Sequence, residues 1–178
     1  ATYYIFYHHQ TKHFLRMNVQ EYNAAVDQYA DRLYRFLLKQ TQHVADAEDL
    51  VQNAFEVLWR NHQDIAADKA RTYLFSVAHH QFISLLRKNK HTDYVEDITT
   101  QTHQSYSLGA IDLSQTIDEA LEQLPDIQRS VLLLRDYEGY SYEEIANITQ
   151  ITESQVKVYI FRARKKMQHL LVSPDRLV

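Results

Sequence analysis

A chain of 178 residues can bury one sizeable core or two small ones of about 60 to 80 residues each. It has no cysteine, which excludes a disulfide scaffold and cysteine-ligated metal and suits a reducing cytoplasm. It has only two glycines and two prolines, too few for a β-rich protein, so an all-helical fold is expected. A net charge of −4 argues against a nucleic-acid partner unless positive charge is gathered on one face.

The first sixteen residues, Ala1 to Arg16, are rich in Tyr, Phe and His and contain no acid. Lys12 and Arg16 follow the apolar part instead of preceding it, so no signal peptide is expected. Residues 1–16 read as an upstream or artificial segment without order, with Met17 a plausible native start. No apolar run approaches the roughly 18 residues a membrane span needs.

From Val19 to about Gln42, the residues Tyr22, Val26, Tyr29, Leu33, Phe36 and Leu37 recur at three- and four-residue intervals, which predicts an amphipathic helix. A second helix is predicted over Asp46 to Arg60, with acids in its first turn where the helix dipole favours them. Leu50, Ala54, Val57 and Leu58 form its inner face, and Asp46, Asp49, Gln52, Asn53 and Glu56 form an acidic, amide-rich outer one. A third helix, about Lys69 to Lys90, turns Tyr73, Leu74, Val77, Ala78, Phe82, Leu85 and Leu86 inward. It carries five basic residues, Lys69, Arg71, Arg87, Lys88 and Lys90, and no acid. The second and third helices thus have opposite charge.

Periodicity stops from His91 to about Ser114, where Thr, Gln, Ser, Asp and His accumulate. This predicts a linker between two helical domains. A short helix over Gln115 to Leu124 ends at Pro125. Another spans Asp126 to Glu138, with Ile127, Val131, Leu132, Leu133 and Leu134 in the core and Gly139 as C-cap. The expected organisation is an upstream segment at 1–16, a helical domain at 17–90, a linker at 91–114, a second helical domain at 115–172 and a tail at 173–178.

Gly139 to Leu171 reads as a helix-turn-helix. Ser141 is an N-cap candidate with Glu144 at the capping-box position, and Tyr140 can staple onto Ile145. Thr152 repeats the device with Gln155, and Ile151 faces Val156. The two starts leave room for about two turns of helix and a short break. In the second helix Val156, Ile160, Ala163, Met167 and Leu170 form an apolar stripe, so Ser154, Lys157, Phe161, Arg162 and Lys165 look outward. From Thr152 to Leu171 five basic residues (Lys157, Arg162, Arg164, Lys165, Lys166) face one acid, Glu153. The positive charge that the whole chain lacks is gathered here.

These features predict DNA binding. Ser154, Lys157 and Phe161 lie near the end of a recognition helix that enters a major groove, where Lys donates to guanine and an aromatic meets a thymine methyl. Lys165 and Lys166, late on the helix, suit phosphate, and Gln155 is claimed by its capping box as much as by a base. In the third helix, Tyr73, His79, His80 and Phe82 among basic residues suit melted or single-stranded DNA, since rings stack on unpaired bases while Arg and Lys hold the backbone. Tyr73 and Phe82 fit the core equally well. His9 with His13, and His79 with His80, have no nearby acid to complete a metal site, and there is no HExxH, Gly-rich phosphate loop or nucleophile motif. Neither catalysis, cofactor nor metal is expected.

The run Asp46-Ala47-Glu48-Asp49-Leu50-Val51-Gln52-Asn53-Ala54-Phe55 with Leu58-Trp59 resembles region 2 of bacterial sigma factors of the extracytoplasmic-function group, and Leu124-Pro125 through Arg164 resembles their region 4. The resemblance covers about Val19 to Leu171. It implies a dissociable initiation factor that recruits core RNA polymerase to promoter DNA, with an anti-sigma factor as a further partner. It places Asp46, Asp49, Gln52, Asn53 and Glu56 against the clamp helices of the polymerase's largest subunit. Opening of the downstream promoter element and capture of a flipped base would fall to Arg71, Tyr73, His79, His80, Arg87 and Lys88. The upstream element would be read by Ser154, Gln155, Lys157, Val158, Phe161, Arg162 and Lys165. The chain departs from the family where it has Tyr73 for Trp, His80 for Asn, Ser84 for Asp, and Val158 and Tyr159 for Ser and Arg; these bear on promoter sequence more than on activity. A stand-alone helix-turn-helix regulator with a sensing or dimerising N-terminal domain, and a helical protein-binding adaptor, are the competing readings.

Overall fold

The computed structural model describes residues 16–92 and 113–172. Among them are seven α-helices and no strand. The chain divides into two compact units, one including 16–82 and the other including 113–146 and 151–172. Most of the segment expected at 1–16, the body of the linker and the tail at 173–178 lie outside the described residues. No helix among the described residues is long and apolar enough to cross a membrane.

The N-terminal unit contains helix α1 (Val19–Thr41), α2 (Val44–Asn61) and the start of α3 (Ala70–Thr92), with two single 3-10 turns at His62–Asp64 and Ala67–Lys69. Asn18 and Glu21 close the start of α1 reciprocally: Asn18 Oδ1 accepts from the Glu21 N–H at 2.9 Å, and Glu21 Oε2 accepts from the Asn18 N–H at 2.8 Å. The helix ends at Gln42, which takes a left-handed conformation (φ 57°) and donates its N–H to the Leu38 carbonyl at 2.8 Å. His43 then starts α2, its Nδ1 accepting from the Asp46 N–H at 3.3 Å. α1 and α2 pack along each other, and Phe36 meets Phe75 of α3 with ring centroids 5.3 Å apart. Leu33, Leu37, Ala54, Leu58, Leu74 and Phe75 are fully buried. Phe82, which the sequence left between core and stacking roles, is in the core. Met17 is buried as well, and its N–H donates to the carbonyls of His62 and Ile65 at 3.1 and 3.0 Å.

His79 was expected at a surface. It is only 2 % exposed. Burial, with a smaller push from His80, pulls its imidazole down to about 4, so the folded unit holds it neutral.

The C-terminal unit contains α4 (Leu113–Glu122), α5 (Asp126–Leu132), α6 (Tyr142–Thr149) as far as Ala146, and α7 (Glu153–Val172). α7 packs on α5 and α4. Pro125 starts α5 instead of merely ending α4, and Arg129, one turn in, is buried. Its guanidinium donates to the carbonyls of Leu121 (2.9 Å), Glu122 (2.9 Å) and Leu124 (3.2 Å). Those are carbonyls that the end of α4 and the turn after it cannot satisfy within the helix. Burial lowers the Arg129 pKa while Asp126 and Glu122 hold it up.

α5 does not continue regularly to Glu138, as its spacing predicts. After Leu132 the chain widens into a π-helical turn, Leu133–Tyr137, with the Glu138 N–H on the Leu133 carbonyl at 3.1 Å. The extra residue per turn re-aims Arg135 and Asp136. Gly139 closes the turn at φ 76°, and a Cβ there would meet no atom within 4 Å, so the backbone angle alone calls for glycine.

Two outcomes follow. Replacing Arg129 with Met takes the guanidinium from three carbonyls, of which only that of Leu121 keeps another donor, the Leu124 N–H at 3.0 Å, and should cost the C-terminal unit about 2–4 kcal/mol in urea unfolding. For His79, the unfolded chain binds its proton near pH 6.5 and the folded one only near 4, so its contribution is present above pH 6.5 and lost as pH falls. Stability should drop by about 2 kcal/mol between pH 7 and pH 5 through this group. His79→Leu should flatten that part of the pH profile.

Candidate nucleic-acid interface

Ser141 and Thr152 close the two helices as their spacing predicts. Ser141 Oγ accepts from the Glu144 N–H at 3.2 Å, and Glu144 Oε2 accepts from the Ser141 N–H at 2.8 Å. Thr152 Oγ1 accepts from the Gln155 N–H at 3.2 Å, and Gln155 Oε1 accepts from the Thr152 N–H at 2.9 Å. Between the helices the chain reverses at Gln150, a second left-handed residue (φ 57°) whose Nε2 donates to the Asn147 carbonyl at 2.7 Å. Ile145, Ile148, Val156, Ile160 and Ala163 are buried, while Met167 and Leu170 at the end of the stripe are half-buried.

The outer face of α7 presents Ser154, Gln155, Lys157, Val158, Phe161, Arg162 and Lys165, all exposed. Phe161 is 68 % exposed, an apolar area that water solvates poorly. Gln155 has its amide oxygen engaged by Thr152, including the Thr152 hydroxyl at 3.0 Å. The other basic residues of α7 have structural work. Arg164 is held by Asp136, its Nε at 3.1 Å and its Nη2 on the second carboxylate oxygen. Lys166, expected at phosphate, donates to the Gln123 carbonyl in the turn between α4 and α5. Of the five basic residues, three are therefore left to face a ligand.

Lys157 is the most elaborately placed of these three. Its Nζ lies 2.8 Å from Glu153 Oε1, one turn earlier, and 5.6 Å from the centre of the Tyr142 ring at the start of α6. Arg135, re-aimed by the π-helical turn, sits over the same ring at 4.8 Å and donates through Nη1 to the Tyr140 carbonyl at 2.8 Å. The Glu153 carboxylate, first by its hydrogen bond and then by its charge, raises the Lys157 pKa. Sequence reasoning assigned no role to Tyr142, Arg135 or Glu153. The Glu153–Lys157 spacing of four residues was the available signal.

On α3 the expected residues separate. Tyr73, His80 and Arg87 recur every seven residues and share one face, with Lys88 beside Arg87. Tyr73 is half-buried and its hydroxyl accepts from Asn61 Nδ2 at 3.1 Å. His80 is exposed, with Nδ1 3.5 Å from Ser76 Oγ, and Arg87 and Lys88 are exposed. His79 is not on that face, because it is in the core. Arg71, two residues before Tyr73, is on the opposite side of the helix and half-buried.

On α2 the acidic face is continuous. Asp49, Gln52, Asn53 and Glu56 are exposed at three- and four-residue spacing, and Asp46 is half-buried in the first turn, 3.4 Å from His43. Glu56 is paired with Arg60. Trp59, beyond this face, is 42 % exposed and stacks on His62 with ring centroids 4.6 Å apart.

Two family models match the chain: Sigma-70 region 2 over residues 25–92 and Sigma-70 region 4 over residues 114–167. The RNA polymerase sigma factor YlaC of Bacillus subtilis is 31% identical over 154 residues, covering 79% of this chain and 86% of that protein. The ECF RNA polymerase sigma factor SigM of the same organism is 28% identical over 152 residues, covering 80% and 90%. Among solved structures, the sigma factor RpoE of Bartonella quintana, in complex with the anti-sigma factor NepR, superposes with a TM-score of 0.72 at 26% identity, over 88% of this chain and 99% of that one. CnrH, in complex with the cytosolic domain of CnrY, shares the fold with a TM-score of 0.66 at 22% identity, over 88% and 91%. With both regions present in order, the chain belongs to the sigma-70 family of RNA polymerase sigma factors, in its extracytoplasmic-function group.

Proposed function

We propose that the two units divide the work of promoter recognition. The outer face of α7, from Ser154 to Lys165, reads the upstream promoter element. The stripe of Tyr73, His80, Arg87 and Lys88 on α3 contacts the downstream element as it opens. A ring at one end and cations at the other suit a melted strand, whose bases can stack while its phosphates are held. The acidic and amide face of α2 docks on core RNA polymerase, with Asp49 and Glu56 supplying charge and Gln52 and Asn53 hydrogen bonds. The protein acts in the cytoplasm, where the polymerase is.

The observation that carries this reading is the exposed face of α7. Seven outward residues, including an almost bare phenylalanine, stand on a helix whose start is closed by Thr152 and Gln155. Phe161 and Val158, both exposed and one turn apart, set apolar surface among the cations of α7. The anti-sigma factor NepR bound to the solved relative RpoE supports a similar partner here, which would keep the factor from polymerase until a signal releases it.

Run-off transcription with core polymerase tests the reading. The full chain should yield promoter-specific transcripts from a subset of templates, and none from any template would refute it. Lys157→Glu with Arg162→Glu should lower such transcription at least about thirtyfold, since each base contact is worth about 1–3 kcal/mol. DNA binding should also weaken with salt, by about 0.9 in log K per log unit of salt for each phosphate held. By contrast, Asp49→Lys with Glu56→Lys should weaken binding to core polymerase and leave binding of α7 to promoter DNA unchanged. Equal losses of both would remove the division of labour.

A further inference from the structure

Lys157 does not project into solvent as an isolated cation. It is tied to Glu153 at 2.8 Å and lies 5.6 Å from the Tyr142 ring, which is held on its other flank by Arg135. Glu153 is the first residue of α7, at the end of a recognition helix that goes deepest into a major groove. A carboxylate there is a liability for a helix that only needs to hold phosphate. It repels the DNA backbone and neutralises the lysine beside it. A donor and an acceptor held side by side suit a base-pair edge instead.

A G·C pair presents guanine O6 and cytosine N4 next to each other in the major groove, an acceptor beside a donor. They are hydrogen-bonded to one another, so they lie about 2.9 Å apart. The separation of Lys157 Nζ and Glu153 Oε1 is nearly the same, 2.8 Å. Building on the assignment of α7 to the upstream element, we propose that Glu153 is a specificity-determining residue. Glu153 and Lys157 read one G·C pair as a unit, the lysine donating to guanine O6 and the carboxylate accepting from cytosine N4. Tyr142 is the positioning residue: its ring holds the lysine over Glu153 and away from the phosphates, and Arg135 fixes the ring. An A·T pair sets adenine's amine and thymine's oxygen in the reverse order, so the same donor–acceptor pair meets it mismatched, while a T·A pair keeps the order but sets thymine's methyl where guanine has the N7 that the lysine also reaches.

The competing explanation is an i,i+4 pair that merely stabilises the helix. Transcription by core polymerase with the full chain, from templates randomised across the upstream element and read by sequencing the transcripts, separates the two. The unaltered chain should favour a G·C pair, in one orientation, at a position that Glu153→Ala relaxes by about fivefold to a hundredfold, with preferences elsewhere unchanged. Lys157→Ala should relax the same position. Tyr142→Leu should do so partly, Tyr142→Phe should restore the preference, and Tyr142→Leu should add nothing in the Lys157→Ala background. An unchanged preference profile in Glu153→Ala, or an equal loss of transcript across all templates, overturns the proposal and leaves the assignment of α7 standing. No promoter-specific transcript from the unaltered chain overturns both.

Discussion

The first four N–H groups of an α-helix have no partner within it, and in α6, eight residues long, they are half of the backbone donors. A helix that short does not persist by its own propensity. It exists because Ser141 and Glu144 close one end and because Ile145 and Ile148 are buried. The same constraint recurs along the chain, and each time a different side chain meets it: Asn18 with Glu21, His43, Thr152 with Gln155, and at the far end of α4 the buried guanidinium of Arg129. The last is the most consequential. By collecting three carbonyls from α4 and the following turn, Arg129 makes α4 and α5 a single platform, and α7 lies on that platform.

Once the ends are closed, charge can be spent on surfaces. α2 gathers four acids against one base, Arg60, and α3 carries no acid, so the two helices differ in sign. On α7 the division is finer. Arg164 and Lys166 fasten the helix to Asp136 and to the Gln123 carbonyl, which fixes its angle on the platform, while Lys157, Arg162 and Lys165 remain for a ligand. The π-helical turn at Leu133–Tyr137 links the two tasks. It carries Asp136, which holds Arg164, and Arg135, which lies over the Tyr142 ring.

Sequence spacing was enough to locate most helices, and it correctly paired Ser141 with Glu144 and Thr152 with Gln155, because capping depends on residues three apart. It also separated the buried stripe of α7 from its outer face. It did not reveal interactions between residues far apart in the chain. Arg129 looks like any surface arginine of an amphipathic helix until the end of α4 is brought to it, and His79 beside His80 looks like half of an exposed pair until the helix is rotated against the core. Tyr142 gave no signal at all, since the cations on either side of it come from the π-helical turn and α7. For the same reason Arg71 and Tyr73, neighbours in a basic run, fall on opposite sides of α3.

Gln42 and Gln150 occupy left-handed turns that most chains give to glycine. A residue with a Cβ is strained there by about 1–2 kcal/mol, yet it has few other conformations to escape to, whereas glycine would have many. The joint between α6 and α7 is therefore stiff as well as tight. A recognition helix on a stiff joint arrives at its groove with its orientation already settled, and little conformational entropy is left to be lost on docking. The strain is then borne by the free protein, before any promoter is met, and a glycine at 150 would shift that cost onto the bound state.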